Sequence, residues 1–128
     1  PAFLMVWPEL QRAGVFDAVR DNYRAAAERA GGIFIPAGEA WRPLVHGAGG
    51  VEPGPDPYGP DGFHPSYEGS VLAAYVVVAA LFGESVQGLP ADMTPGRGGG
   101  PDIHLDANVA SRLQRLADEA VEAFPPRG

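Results

Sequence analysis

Cysteine and lysine are both absent from this 128-residue chain. Without cysteine there is no disulfide framework, no thiolate metal site and no cysteine nucleophile. Without lysine there is no Schiff-base chemistry and no phosphate-loop lysine. All side-chain positive charge outside histidine therefore rests on nine scattered arginines. They stand against 16 aspartates and glutamates, a formal net charge of −7. That balance argues against a nucleic-acid partner, which needs a basic footprint. Long apolar runs are lacking too. The longest, Val71–Phe82, falls short of the roughly 20 residues of a membrane span. No span is expected, and the run reads as a buried helix. Nothing in the composition marks a compartment.

What is present suits a packed globule: 45% of residues are aliphatic or aromatic, too many for a disordered acidic tail. Glycine (18) and proline (14) are abundant but unevenly spread, with concentrations at 47–65 and 83–101. They mark two loop-rich zones between three apolar, periodic blocks, all within one domain.

Phe3–Trp7 reads as a short strand, apolar at every position and therefore expected to be buried on both faces. Pro8–Gly14 reads as a polar turn. From Val15 to Ala30 the residues Phe16, Val19, Tyr23, Ala27 and Ala30 recur at helical spacing, and Gly31-Gly32 ends the helix. Ile33–Ile35 is a second strand. Strand, helix, strand in this order implies a βαβ unit with a parallel sheet. Gly38–His46 reads as a short helix interrupted near Pro43. Ser66 is placed to cap a helix running to Phe82 with Gly83 as terminator, apolar nearly all round and so expected to be covered on most sides. Asp106 is placed to cap a last helix striped by Val109, Leu113, Leu116, Ala120, Val121 and Phe124. A first strand buried on both faces needs cover that one helical hairpin does not supply, which suggests that the chain begins inside a domain.

The densest chemistry lies at Asp61-Gly-Phe-His64-Pro65-Ser66. Gly62 permits a tight turn and Pro65 keeps His64 out of helical backbone. On such a turn the Asp61 carboxylate reaches Nδ1–H of His64. That arrangement fixes the tautomer, leaves Nε2 free as a base and stabilises the imidazolium once it forms. A loop ahead of a rigid helix is where catalytic groups tend to sit.

The longer stretch from Asp61 to Tyr75 resembles the last conserved block of the SGNH (GDSL) hydrolases. There an Asp-x-x-His-Pro turn supplies the acid and base of a Ser-His-Asp triad. Trp7 at a strand end, the helix end from Tyr23 to Gly32, Ile35–Trp41 (Ile-Pro-Ala-Gly-Glu-Ala-Trp), Leu81–Gly83 leading to Gly88–Pro90, and Leu113–Ala120 all look like one branch of the same family. The likeness covers residue 1 to about 123. It implies a three-layer α/β/α flavodoxin-like fold with a parallel sheet, incomplete at the N-terminal side. It also implies an ester hydrolase, with Asp61 and His64 as catalytic residues, a small-molecule ester as substrate (an acyl ester, a lipid or an acetylated carbohydrate), and no cofactor or catalytic metal.

The family's Gly-Asp-Ser nucleophile turn and its oxyanion-hole Gly and Asn are not found. Ser66, Ser70, Ser85 and Ser111 lie in no such setting, and Asn22 and Asn108 lie in or near helices. The resemblance therefore implies that residues 1–128 are the C-terminal part of a single hydrolase domain, inactive alone, whose serine lies upstream. The alternative is a non-catalytic binding module that keeps the shape.

Other candidates have plainer readings. His46 at a loop rim and His104 before the last helix read as surface or capping residues. Asp56, Asp61, His64 and Glu68 offer metal-ligand types, but at a spacing that matches no signature. Trp41 reads as core under the loops rather than pocket lining. Phe63 either packs beneath the base or flanks the substrate. Gly98–Gly100 reads as linker, and the proline-rich stretch around Tyr58 as a lip over the site.

Overall fold

The computed structural model describes residues 1–127. The chain is a mixed α/β fold, about half helical, with a small parallel sheet. In order it forms β1 (Ala2–Leu4), α1 (Phe16–Arg29), β2 (Ile33–Ile35), α2 (Ala37–Trp41), α3 (Tyr67–Phe82), β3 (Asp92–Met93), β4 (Ile103–His104) and α4 (Ala107–Ala123).

The expected βαβ unit is present. β1 pairs with β2 in parallel, Ala2 opposite Ile33 and Leu4 opposite Ile35, and α1 makes the crossover. The ladder continues past β1, where the Met5 amide donates to the Ile35 carbonyl at 2.9 Å. Gly31 turns left-handed (φ 60°) to end α1, as a residue without Cβ does at no steric cost. Phe34 and Ile35 are adjacent, point to opposite faces and are both buried. Both faces of β2 are therefore covered, and α1 and α3 each pack against it.

Two expectations about the first strand fail. The paired segment is Ala2–Leu4 rather than Phe3–Trp7, because Trp7 leaves the ladder to stack on Trp41. Nor is the segment buried on both faces: Leu4 and Val6, two residues apart and so on one face, are each 40% exposed, whereas Met5 between them is buried. Residues 8–14 are not simply a polar turn either, as Leu10–Val15 winds into 3₁₀ helix and buries Ala13.

α3 begins and ends where expected. The Ser66 hydroxyl accepts from the Gly69 amide at 3.1 Å, and Gly83 (φ 69°) terminates the helix. Its apolar surface is not covered all round. One face packs on α2, α4 and β2, whereas Val78, Leu81 and Phe82 remain exposed. α4 starts at Asp106, whose carboxylate accepts from the amides of Asn108 and Val109, and buries Leu113, Leu116 and Ala120.

The second loop zone contains a short antiparallel hairpin, β3–β4, which the sequence reading treats as loop. Gly98–Gly100 lies in its connection rather than in a linker. Two polar side chains of α4 hold the segment before it. Gln114 joins the Tyr75 hydroxyl, the Leu89 carbonyl and the Gly88 amide, while Asp118 accepts from Ser85 and from the Val86 amide.

The close approach of α3 to the loop that precedes it depends on Gly69. A Cβ there would overlap the Pro57 carbonyl oxygen and lie 2.9 Å from the Trp41 ring. We expect Gly69→Ala to lower stability by about 2 kcal/mol, since overpacking strain of roughly 3 kcal/mol outweighs the ~1 kcal/mol that alanine gains over glycine in a helix. Urea unfolding measures it, and an unchanged or raised midpoint contradicts this packing.

Candidate active site

The loop ahead of α3 folds on backbone and side-chain bonds that its residue types dictate. Asp56 Oδ1 accepts from the Tyr58 amide at 2.9 Å, and the Ser66 hydroxyl donates to the Asp56 carbonyl at 2.7 Å. Tyr58 and Pro65 form an isolated antiparallel bridge. Between them the chain reverses through Gly62 at φ 67°, a conformation open to glycine and strained for other residues.

At the tip Asp61 does two things at once. Its Oδ1 accepts from the amides of Phe63 (3.0 Å) and His64 (2.9 Å), the Asx-type turn that aspartate favours. Its Oδ2 sits 2.6 Å from Nδ1 of His64. The sequence expectation that both side chains face one way is met. With Nδ1–H donating to the carboxylate, the lone pair lies on Nε2, which has no hydrogen-bond partner among the described residues. The pair is open to solvent, with the His64 side chain 74% exposed. The His64 hydrogen bond, helped by the two amides, holds the Asp61 carboxyl down at about 2, below its ordinary 3.8.

Two tryptophans support the turn from beneath. Trp7, just past the C-terminal end of β1, stacks on Trp41 of α2 with ring centroids 3.3 Å apart. The Trp7 indole N–H donates to the Phe63 carbonyl (3.0 Å) and the Trp41 indole N–H to the Gly69 carbonyl (3.1 Å). Trp41 is fully buried and belongs to the core. The Trp7 role is not legible in the sequence. A tryptophan at a strand's C-terminal end was the available signal, but its partner is a main-chain carbonyl 56 residues away.

Phe63 is exposed and edge-on to His64, with ring centroids 5.0 Å apart. It flanks His64 rather than packing beneath it. With Trp7, Pro8, Arg12, Val15 and Val19 it also borders a groove of about 390 Å³. Tyr58 is not a lip. It is 4% exposed and edge-on to Trp41, and its hydroxyl donates to the Pro8 carbonyl at 2.7 Å. The Trp41 ring and the Pro8 carbonyl give it a buried place, and burial pushes its hydroxyl pKa up to about 12.

The remaining candidates are not brought to the dyad. His46 opens a 3₁₀ turn and is exposed. His104 lies on β4, with Nδ1 3.1 Å from Asp92 and its amide donating to the Tyr67 hydroxyl. Asp56, Asp61, His64 and Glu68 form no ligand cluster, and no group of three or more such residues suited to a metal occurs among the described residues. Among the described residues no serine bonds His64: Ser66 and Ser70 donate to backbone carbonyls, Ser85 donates to Asp118, and Ser111 lies on α4. No described helix is long and apolar enough to cross a membrane. No protein-family model, curated protein or solved structure matches the chain.

The low Asp61 value fixes a pH dependence. Asp61 ionises more readily in the folded turn, so its carboxylate supports that turn above the ordinary titration near pH 4, and the support is lost as pH falls through about 2. We expect carboxyl ¹³C NMR to give an Asp61 midpoint near 2 in the native chain, rising part of the way toward 3.8 in His64→Ala. A midpoint indifferent to that substitution contradicts the hydrogen bond as its main cause.

Proposed function

We propose that these residues form the base-and-acid part of a serine ester hydrolase of the SGNH type, with His64 as general base and Asp61 as the residue that orients it. The observation that carries this reading is Asp61 Oδ2 at 2.6 Å from Nδ1 of His64, with Nε2 open to solvent and unbonded. In this reading residues 1–128 are the C-terminal part of the hydrolase domain, and the domain has a three-layer α/β/α, flavodoxin-like architecture. The parallel β1–β2 pair, the cover on both faces of β2, and a dyad lying beyond the C-terminal ends of the strands support it, since open α/β sheets bind ligands there.

The chemistry follows. A serine from outside this chain attacks the ester carbonyl while His64 Nε2 takes its proton. The imidazolium, steadied by Asp61, returns the proton to the departing alcohol. Water then repeats the cycle on the acyl-serine, releasing the carboxylic acid and regenerating the serine. Acid–base help of this kind is worth roughly 10²–10⁴-fold. The groove beside Phe63 and Trp7, which Glu9 and Arg12 also border, is where a small ester substrate would lie.

Because a triad acts as a unit, the 128-residue chain alone should hydrolyse p-nitrophenyl acetate no faster than buffer. The polypeptide that joins it to its nucleophile should hydrolyse it, with kcat lowered about 10⁴-fold by Asp61→Asn, which favours the wrong tautomer, and at least as far by His64→Ala. Full activity in either variant, or no activity toward a panel of esters, sinks the reading; the last result favours a binding module of the same shape.

A further inference from the structure

Glu39 of α2 is a charged residue within the core, its side chain only 6% exposed. One of its oxygens, Oε1, faces two arginines, Arg42 at 3.4 Å and Arg20 at 3.7 Å. Both arginines sit closer to other carboxylates: Arg42 is 2.7 Å from Asp17, and Arg20 is 3.0 Å from Asp17 and 2.9 Å from Asp21. The Glu39 ion pairs are therefore long and shared. The other oxygen, Oε2, accepts no hydrogen bond among the described residues. No wholly buried side-chain oxygen of the described residues lacks a partner, so Oε2 touches accessible space.

Glu39 borders a cavity of about 350 Å³ between α2, the loop at 48–50 and the end of α4. Its walls are largely apolar, from Leu116, Ala120 and Phe124, with Glu39 and Arg42 on one side and Glu119 at the rim. A carboxylate so placed has lost most of its water without gaining a full set of donors, which is costly. The loss of water outweighs the arginines and raises the Glu39 pKa above its ordinary 4.5. Negative charge is also in excess around the cavity. Asp17, Asp21 and Glu39 share Arg20 and Arg42, and Glu119 shares Arg115 with Glu52.

We infer that this cavity is a binding site for a small organic ammonium ion, whose N–H donates to Glu39 Oε2 and whose apolar body lies against Phe124, Leu116 and Ala120. The volume is at the low end for small-molecule sites, which fits a ligand with one ring or a short alkyl chain. The ammonium supplies a donor to the oxygen that has none and a positive charge that is not shared with Asp17 or Asp21. The site lies apart from the residues around His64 and does not depend on the hydrolase reading.

The test is an amide NMR titration of the full chain with benzylammonium, benzyl alcohol and benzoate, read at Gly49 and Gly50, which border the cavity. Benzylammonium should shift both amides saturably below about 10 mM, benzyl alcohol about tenfold more weakly, and benzoate not at all. Glu39→Gln should weaken benzylammonium about tenfold or more. Ala123→Phe, at an exposed position bordering the cavity, should block it while leaving the fold intact by circular dichroism. Should Glu39→Gln fail to fold, the order of the three probes and the Ala123→Phe variant decide. The proposal is overturned by the absence of saturable shifts with benzylammonium, by benzoate binding as well as benzylammonium, or by binding that survives in folded Glu39→Gln or Ala123→Phe.

Discussion

The stack of Trp7 on Trp41 is the contact on which the arrangement of the site depends. Each indole contributes a large apolar face and one N–H, and an N–H taken out of water needs an acceptor. Trp7 comes from the end of β1 and Trp41 from α2, so the stack joins the parallel strand pair to the helix that follows it. Neither N–H is satisfied within those elements. Both reach across to carbonyls of the loop and first turn of α3, at Phe63 and Gly69. These two carbonyls bracket His64. The two indole bonds, one buried at Trp41 and one open to solvent at Trp7, thus hold the segment that carries His64, and Tyr58, edge-on to Trp41 and bonded to the Pro8 carbonyl, closes the same cluster.

Two carboxylates in this chain show how environment sets what an acid does. Asp61 is exposed and fully bonded, with two amides on one oxygen and an imidazole on the other. Hydrogen bonds to the ionised form dominate there and the pKa falls. Glu39 is buried and partly bonded, its two arginines drawn away by Asp17 and Asp21. Loss of water dominates there and the pKa rises. Asp61 is suited to remain a carboxylate beside the His64 imidazole. Glu39 is suited to greet a cation.

Local signals in the sequence were legible where one residue type does one job at short range. Ser66, Asp106, Gly31 and Gly83 cap or end helices within a turn of themselves, and each did so at the expected place. The strand–helix–strand order and the Asp61–His64 contact are of the same kind, the latter a three-residue turn that closes on itself. Legibility failed where the outcome depended on distant partners. The apolar stretch Phe3–Trp7 does not say where it will leave its ladder, because that is decided by Trp41, a residue beyond the next strand. The nearly uniform apolarity of α3 does not say which side is covered, since α4 and α2 choose it. The hairpin β3–β4 is two residues per strand, too short to carry a period. Nothing near Glu39 in sequence distinguishes it from an exposed helix residue; its burial comes from the elements packed around α2.

Exposure decides what the His64–Asp61 pair contributes. An ion pair in water is worth little, because solvent screens it and two side chains must be held still. The pair here is held by other means. Gly62 sets the reversal, the amides of Phe63 and His64 clasp one carboxylate oxygen, and the Trp7 indole pins the Phe63 carbonyl between them. The carboxylate is thus oriented by backbone before it meets the imidazole, and the ring meets it with one nitrogen while the other faces outward. What the turn provides is direction rather than charge. The free nitrogen Nε2 therefore heads to one side, the solvent-facing surface bordered by Phe63.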